Sequence, residues 1–138
     1  MDRALFGRCN CFTVRKAARA LTQAYDAALA PAGIRATQFM VLAAIDEQTD
    51  LLVQELANIM MMDRTTMGKN IRPLTRDGLV SVAVCEADRR GRRLRLTKKG
   101  RAVLNEAYPL WKCAQDSLQR THGSEFLRKL RIMLEQLS

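Results

Sequence analysis

The chain has 138 residues, 48% of them hydrophobic, which is typical of one folded domain and not of a disordered segment. Its 23 lysines and arginines against 14 aspartates and glutamates give a formal net charge of +9. This excess favours a polyanionic partner such as nucleic acid. No apolar run reaches about 18 residues and charges interrupt the N-terminal stretch, so we expect neither a membrane partner nor a targeting signal.

Residues that carry catalysis or bind metals are scarce. His122 is the only histidine, and the four cysteines lack paired CxxC spacing. The sequence therefore predicts no metal site, no cofactor and no enzyme. Reduced thiols of this kind are typical of the cytoplasm, where we expect the protein to act.

The first third of the chain predicts two helices. Apolar residues from Val14 to Leu29 recur with helical spacing, and Pro31 and Gly33 are expected to end that helix. The second helix, around residues 39–45, is apolar on nearly all sides. We therefore expect it to be deeply buried.

Two short helices joined by a tight connection come next. The first spans about residues 52–60, with Leu56 and Ile59 facing inward, and the second spans about residues 64–76. Asp63 is placed to cap the second helix and Gly78 to end it. Its predicted outward face carries the polar residues Arg64, Thr65, Thr66, Lys69, Asn70 and Arg72.

A change from helical to alternating periodicity then predicts a β-hairpin. Residues 79–85 are apolar and β-branched, residues 93–96 alternate strictly, and the polar loop 86–92 joins them. Thr97 is the expected N-cap of a further helix, and a last helix follows a break near Gly123. From residue 86 to residue 101 the net charge is +6, two thirds of the excess of the whole chain.

Two short helices followed by a basic hairpin are the pattern of a winged helix-turn-helix. A polar helix fits the major groove of DNA, where base edges are distinguishable, and arginines on a thin hairpin can enter the adjacent minor groove. The sequence therefore predicts a mainly α fold with a small β-hairpin wing that binds double-stranded DNA. A solvated charged loop is the less favoured interpretation of the basic run.

The run VQELANIMMMDRTTMGKNIRPLTRDGLV, followed by DRRGRRLRLTKKG, resembles the multiple antibiotic resistance regulator (MarR) family. The resemblance implies a homodimeric transcriptional regulator, expected to be a repressor that binds an inverted-repeat operator. Residues 34–100 would form the DNA-binding part of a single domain, and residues 1–33 and 101–138 the dimerisation helices. Arg90 would enter the minor groove, with Asp88 orienting it and Arg89 and Arg92 beside it.

Two sensing mechanisms remain open. The first is a small aromatic or phenolic acid bound between the dimerisation helices and the winged helix, where an arginine would meet its carboxylate. The candidate lining residues are Phe12, Arg15, Arg19, Phe39, Met40 and Trp111. The alternative is a peroxide-sensing thiol, Cys11, which is similar in position to the reactive cysteine of organic hydroperoxide regulators in this family.

Overall fold

A computed structural model describes residues 5–84 and 91–138, which form a mainly helical fold with a small antiparallel sheet. The helices are α1 (Leu5–Arg8), α2 (Asn10–Leu29), α3 (Ala36–Glu47), α4 (Val53–Ile59), α5 (Arg64–Arg76), α6 (Lys98–His122) and α7 (Ser124–Glu135). The strands are β1 (Leu51–Leu52), β2 (Val80–Val84) and β3 (Arg92–Leu96). The predicted winged helix-turn-helix class is confirmed.

The core lies between α3, the helix-turn-helix formed by α4 and α5, and the sheet. Its fully buried side chains include Leu42 of α3, Leu56 of α4, Met67 and Leu74 of α5, and Leu94 of β3. The helix-turn-helix is therefore held to the rest of the chain by continuous apolar contacts.

Two burial predictions were wrong. Met40 of α3 is 49% exposed and Ile59 of α4 is 51% exposed. The apolar spacing of a helix shows which residues can be buried, but only neighbouring elements decide which of them are covered. Within the chain, α3 is covered by α6, β3 and α5 on its other sides.

The sheet has the strand order β1-β3-β2, and both pairs are antiparallel. In the wing hairpin, Val82 of β2 lies opposite Leu94 of β3. On the other side of β3, Leu51 of β1 also lies opposite Leu94. The sequence did not predict β1, which has only two residues and depends on pairing with β3.

Helix α5 and the long helix α6 meet at a tight joint. Gly78 adopts a left-handed conformation (φ 73°) after α5, as expected of a helix end. Thr97 caps α6, as predicted: its hydroxyl accepts from the Gly100 amide at 2.9 Å and donates to the Gly78 carbonyl at 2.6 Å. A Cβ on Gly100 would lie 1.9 Å from the carbonyl oxygen of Leu79. The joint therefore requires glycine at residue 100.

Helix α7 follows Gly123 and packs mainly against α6. Its apolar side chains Phe126, Met133 and Leu134 are exposed within the chain. Among the described residues, no single helix is long and apolar enough to span a bilayer.

Candidate nucleic-acid interface

Helix α5 is the second helix of the helix-turn-helix and is called the recognition helix below. Its start is fixed by Asp63, as the sequence predicted. One carboxylate oxygen of Asp63 accepts from the Thr66 amide at 2.8 Å, and the other accepts from the Thr66 hydroxyl at 2.7 Å. These hydrogen bonds, chiefly the one from the Thr66 hydroxyl, lower the pKa of the Asp63 carboxyl below its ordinary value. The cap therefore stays ionised and favourable to the helix N-terminus.

A groove of about 560 Å³ separates α5 from the wing. Arg64 and Arg72 line it from α5, and Arg92 lines it from β3. All three arginines are exposed, and no acidic residue is among the described lining residues. Gly68 lines the floor between the two helix arginines, with nothing within 4 Å of the position of an added Cβ. The groove is therefore cationic, open and suited to an anionic partner.

Two further predicted residues lie on the other flank of α5. Lys69 and Asn70 line a depression of about 340 Å³ that also includes Arg35 and Gln38 of the α3 end. The Asn70 side-chain amide donates to the Thr66 carbonyl at 2.9 Å. The outward residues of α5 therefore form two separate flanks, with Thr65 and Thr66 exposed in its first turn.

Sequence reasoning missed several groove residues. Gln54 of α4 and Thr75 of α5 line the groove beside the wing, and Arg35 lies beside Lys69. The only available signal for Gln54 was its place as a polar residue in the first turn of the first short helix. Asp88, Arg89 and Arg90, the predicted wing-tip residues, lie outside the described residues, so their DNA contacts stay predictions.

Three of the six candidate ligand residues meet in one pocket. Phe39, Met40 and Trp111 line a cavity of about 280 Å³ between α2, α3 and α6. The rings of Phe39 and Trp111 stack with centroids 5.7 Å apart. Tyr25 also lines the pocket and its hydroxyl donates to Gln115. Burial raises the pKa of Tyr25, while the charge of Arg131 opposes that shift.

The other three candidates lie outside this pocket. Arg15 and Arg19 line a shallow depression on α2, and Phe12 contacts the ring of Phe6 with centroids 5.3 Å apart. Thr22 lines both the depression and the aromatic pocket, so the two lie next to each other along α2.

The alternative sensor, Cys11, is exposed in the first turn of α2. Cys9 caps the same helix, since its sulfur accepts from the Phe12 amide at 3.4 Å. In residues 5–84 and 91–138, no group of three or more His, Cys, Asp or Glu side chains is placed to hold a metal ion.

A polar, capped helix beside an arginine-lined hairpin defines the winged helix-turn-helix class of DNA-binding protein. A sequence model described as the MarR family matches residues 32–91. The curated relative TtmR of Methylorubrum extorquens (strain PA1), an HTH-type transcriptional regulator, is 32% identical over 93 residues, covering 67% of this chain. The chain spans about half, 48%, of the length of that relative.

Solved structures are similar to this fold over nearly the whole chain. The transcriptional regulator MosR of M. tuberculosis, in complex with DNA, is 42% identical, with 94% of this chain and 96% of that chain covered and a TM-score of 0.84. A mutant of MarR from E. coli complexed with operator DNA is 20% identical, with 99% of both chains covered and a TM-score of 0.87, and this likeness concerns the fold alone. The chain belongs to the MarR family of transcriptional regulators.

Proposed function

We propose that the chain acts in the cytoplasm as a homodimeric repressor that binds an inverted-repeat operator in double-stranded DNA. The observation that carries this proposal is the groove between α5 and the wing, which Arg64, Arg72 and Arg92 line and whose described lining residues include no acid. Arginine is the side chain best suited to phosphates and to guanine edges. The DNA complex of MosR, at 42% identity over nearly the full chain, supports the same assignment.

The proposed contacts differ along the interface. Thr65 and the groove arginines of α5, Arg64 and Arg72, would read base edges, whereas Lys69 on the opposite flank would meet the phosphate backbone. Arg90 would enter the minor groove from the wing tip. Thr66 has its hydroxyl hydrogen bonded to Asp63, so we assign it to capping and to van der Waals contact.

Equilibrium binding of three alanine variants tests the assignment. The probe is the duplex that the wild-type chain enriches from a random-sequence library. Arg90→Ala and Arg72→Ala should each weaken binding by about 1–3 kcal/mol, because each removes a guanidinium from the DNA surface. Arg120→Ala, the same change near the end of α6, is the control and should bind as the wild type does. Unchanged affinity in both Arg90→Ala and Arg72→Ala would contradict the proposed interface.

For the effector, we propose a small aromatic acid with its ring between Phe39, Met40 and Trp111. The pocket is apolar and none of its described lining residues is charged, so it suits a ring and not a carboxylate. Because both cavities adjoin Thr22, we place the carboxylate on the side of the pocket nearest Arg19 and Arg15 of α2. Such a ligand releases DNA only if it binds the released conformation more tightly than the DNA-bound one.

A peroxide-sensing thiol is the second candidate, favoured by the exposure of Cys11 in the first turn of α2. An oxidised Cys11 would then change the α2 terminus and, through it, the DNA-binding part.

One titration separates the two sensors. Complexes of the selected duplex with wild type, Cys11→Ser and the control Cys113→Ser are titrated with benzoate, salicylate and cumene hydroperoxide. We expect the acids to release DNA from all three proteins, because none of the lining residues is changed. If only the hydroperoxide releases DNA, and only Cys11→Ser loses this response, the proposal of an aromatic-acid effector is contradicted and Cys11 is the sensor.

A further inference from the structure

The turn before β1 contains an aspartate in an unusual backbone conformation. Asp50 has φ 61°, a left-handed value that aspartate tolerates better than most side chains. It directly precedes Leu51, which is 1% exposed and lies opposite Leu94 of β3. The turn is therefore fixed to the core on one side and to the wing on the other.

Asp50 holds two arginines of the wing strand β3. Its carboxylate accepts from Nε of Arg95 at 2.6 Å and lies 2.5 Å from Nη2 of the same guanidinium. Its backbone carbonyl accepts from Nη1 of Arg93 at 3.1 Å. A single residue, more than 40 positions away in sequence, thus contacts both arginines on this face of the strand.

The opposite face of β3 carries the residues that meet the core and the groove. Leu94 is fully buried, and Arg92 lines the groove with Arg64 and Arg72 of α5. Side chains alternate between the two faces of a strand, so a contact that fixes Arg93 and Arg95 also fixes the height of Arg92 above α5. The two-residue strand β1 offers few hydrogen bonds for this task by itself.

We propose that Asp50 is a positioning residue for DNA recognition, which sets the tilt of the wing relative to the recognition helix through Arg95 and Arg93. The inference rests on the proposed DNA-binding function. The proposal predicts that Asp50 affects how well the protein discriminates between DNA sequences. Discrimination requires the wing and the recognition helix to contact the duplex at the same time.

A purely electrostatic role of Asp50 predicts a different effect on DNA binding. The Asp50–Arg95 pair is partly exposed, with side chains 33% and 62% accessible, and exposed ion pairs add little stability. If Asp50 only neutralised Arg95, its removal would strengthen binding to every duplex alike, through the phosphates. The ratio of affinities for a selected and an unselected duplex therefore separates positioning from charge.

The experiment measures that ratio for the duplex enriched by the wild type and for poly(dI-dC). Asp50→Gly tolerates the left-handed turn but removes the carboxylate, whereas Asp50→Asn keeps an oxygen acceptor. We expect Asp50→Gly to lower the ratio by roughly tenfold, within the range of one lost base contact. Asp50→Asn should recover most of the loss. Asp46→Asn, which removes the same charge from the Asp46–Arg101 pair, is the control and should keep the wild-type ratio.

Each outcome decides a specific claim. An unchanged ratio in Asp50→Gly, including equal shifts for both duplexes, overturns the inference. If Asp50→Gly lowers the melting temperature, Arg95→Met removes the same pair without altering the turn, and an unchanged ratio there overturns it equally. A wild-type chain that enriches no duplex refutes the proposed function instead.

Discussion

Thr66 illustrates how a side chain selected from the sequence acquires a more limited role in the structure. The outward spacing of α5 predicted that Thr66 reads DNA, and it is exposed. Its amide and hydroxyl both donate to Asp63, however, and its carbonyl accepts from Asn70. Periodicity identifies the face of a helix but not the hydrogen bonds that its side chains have already made. Thr65 and the arginines of α5 are therefore the better candidates for direct contacts with DNA.

Gly68 lies within the recognition helix although nothing in the described structure requires glycine there. A Cβ would meet no atom within 4 Å, and the backbone is helical. We expect Gly68→Ala to stabilise the fold by about 0.5–1 kcal/mol, because alanine has the higher helix propensity. The added methyl group would occupy the groove beside Arg72, so affinity for the selected duplex should fall. Thermal unfolding and equilibrium binding measure the two effects, and unchanged affinity would contradict the entry of DNA into this groove.

At the scale of elements, the joint between α5 and α6 connects the proposed recognition helix to the longest helix of the described residues. The Thr97 hydroxyl contacts Gly78, the Thr97 amide donates to the Leu79 carbonyl at 3.1 Å, and Lys99 donates to the Asp77 carbonyl at 2.9 Å. These bonds satisfy carbonyl groups that follow the end of α5. They connect the start of α6 directly to the residues that follow the recognition helix.

The Gly100→Ala variant tests how tight this joint is. The new methyl group would overlap the Leu79 carbonyl, so α6 or the start of the wing must move. We expect a loss of about 1–3 kcal/mol in the free energy of unfolding, the usual cost of overpacking. Chemical denaturation measures it, with Gly68→Ala as the matched glycine-to-alanine control. Equal stability of the two variants would show that the joint can accept a methyl group at residue 100 and would contradict the close contact with Leu79.

The sequence allowed accurate prediction of elements that carry their own local signals. Helix α5 has the predicted bounds because Asp63 and Gly78 mark its ends, and Thr97 marks the start of α6. Strand β1 was missed because two residues show no periodicity. The aromatic pocket was predicted only in part: Phe39 and Trp111 are 72 residues apart and meet through the packing of α3 against α6.

At the scale of the whole molecule, apolar side chains remain uncovered at both ends of the chain. Leu21 of α2, Phe126 and Met133 of α7 and Leu137 beyond it are between 38% and 75% exposed. Isolated exposed apolar residues are ordinary, but helices with one uncovered apolar face usually pack against a partner. This observation supports the proposed homodimer, in which the terminal helices would hold two recognition helices at a fixed distance.

Footprinting on the duplex selected by the wild-type chain, with the protein-to-DNA stoichiometry measured on the same complex, tests the central proposal most directly. We predict two protomers per duplex and two protected half-sites with centres about 10 base pairs apart, because a two-fold dimer presents its recognition helices one helical turn apart. Protection should weaken steeply as salt concentration rises, since phosphate contacts release counterions. A single unrepeated site occupied by one protomer, or protection insensitive to salt, would contradict the proposal.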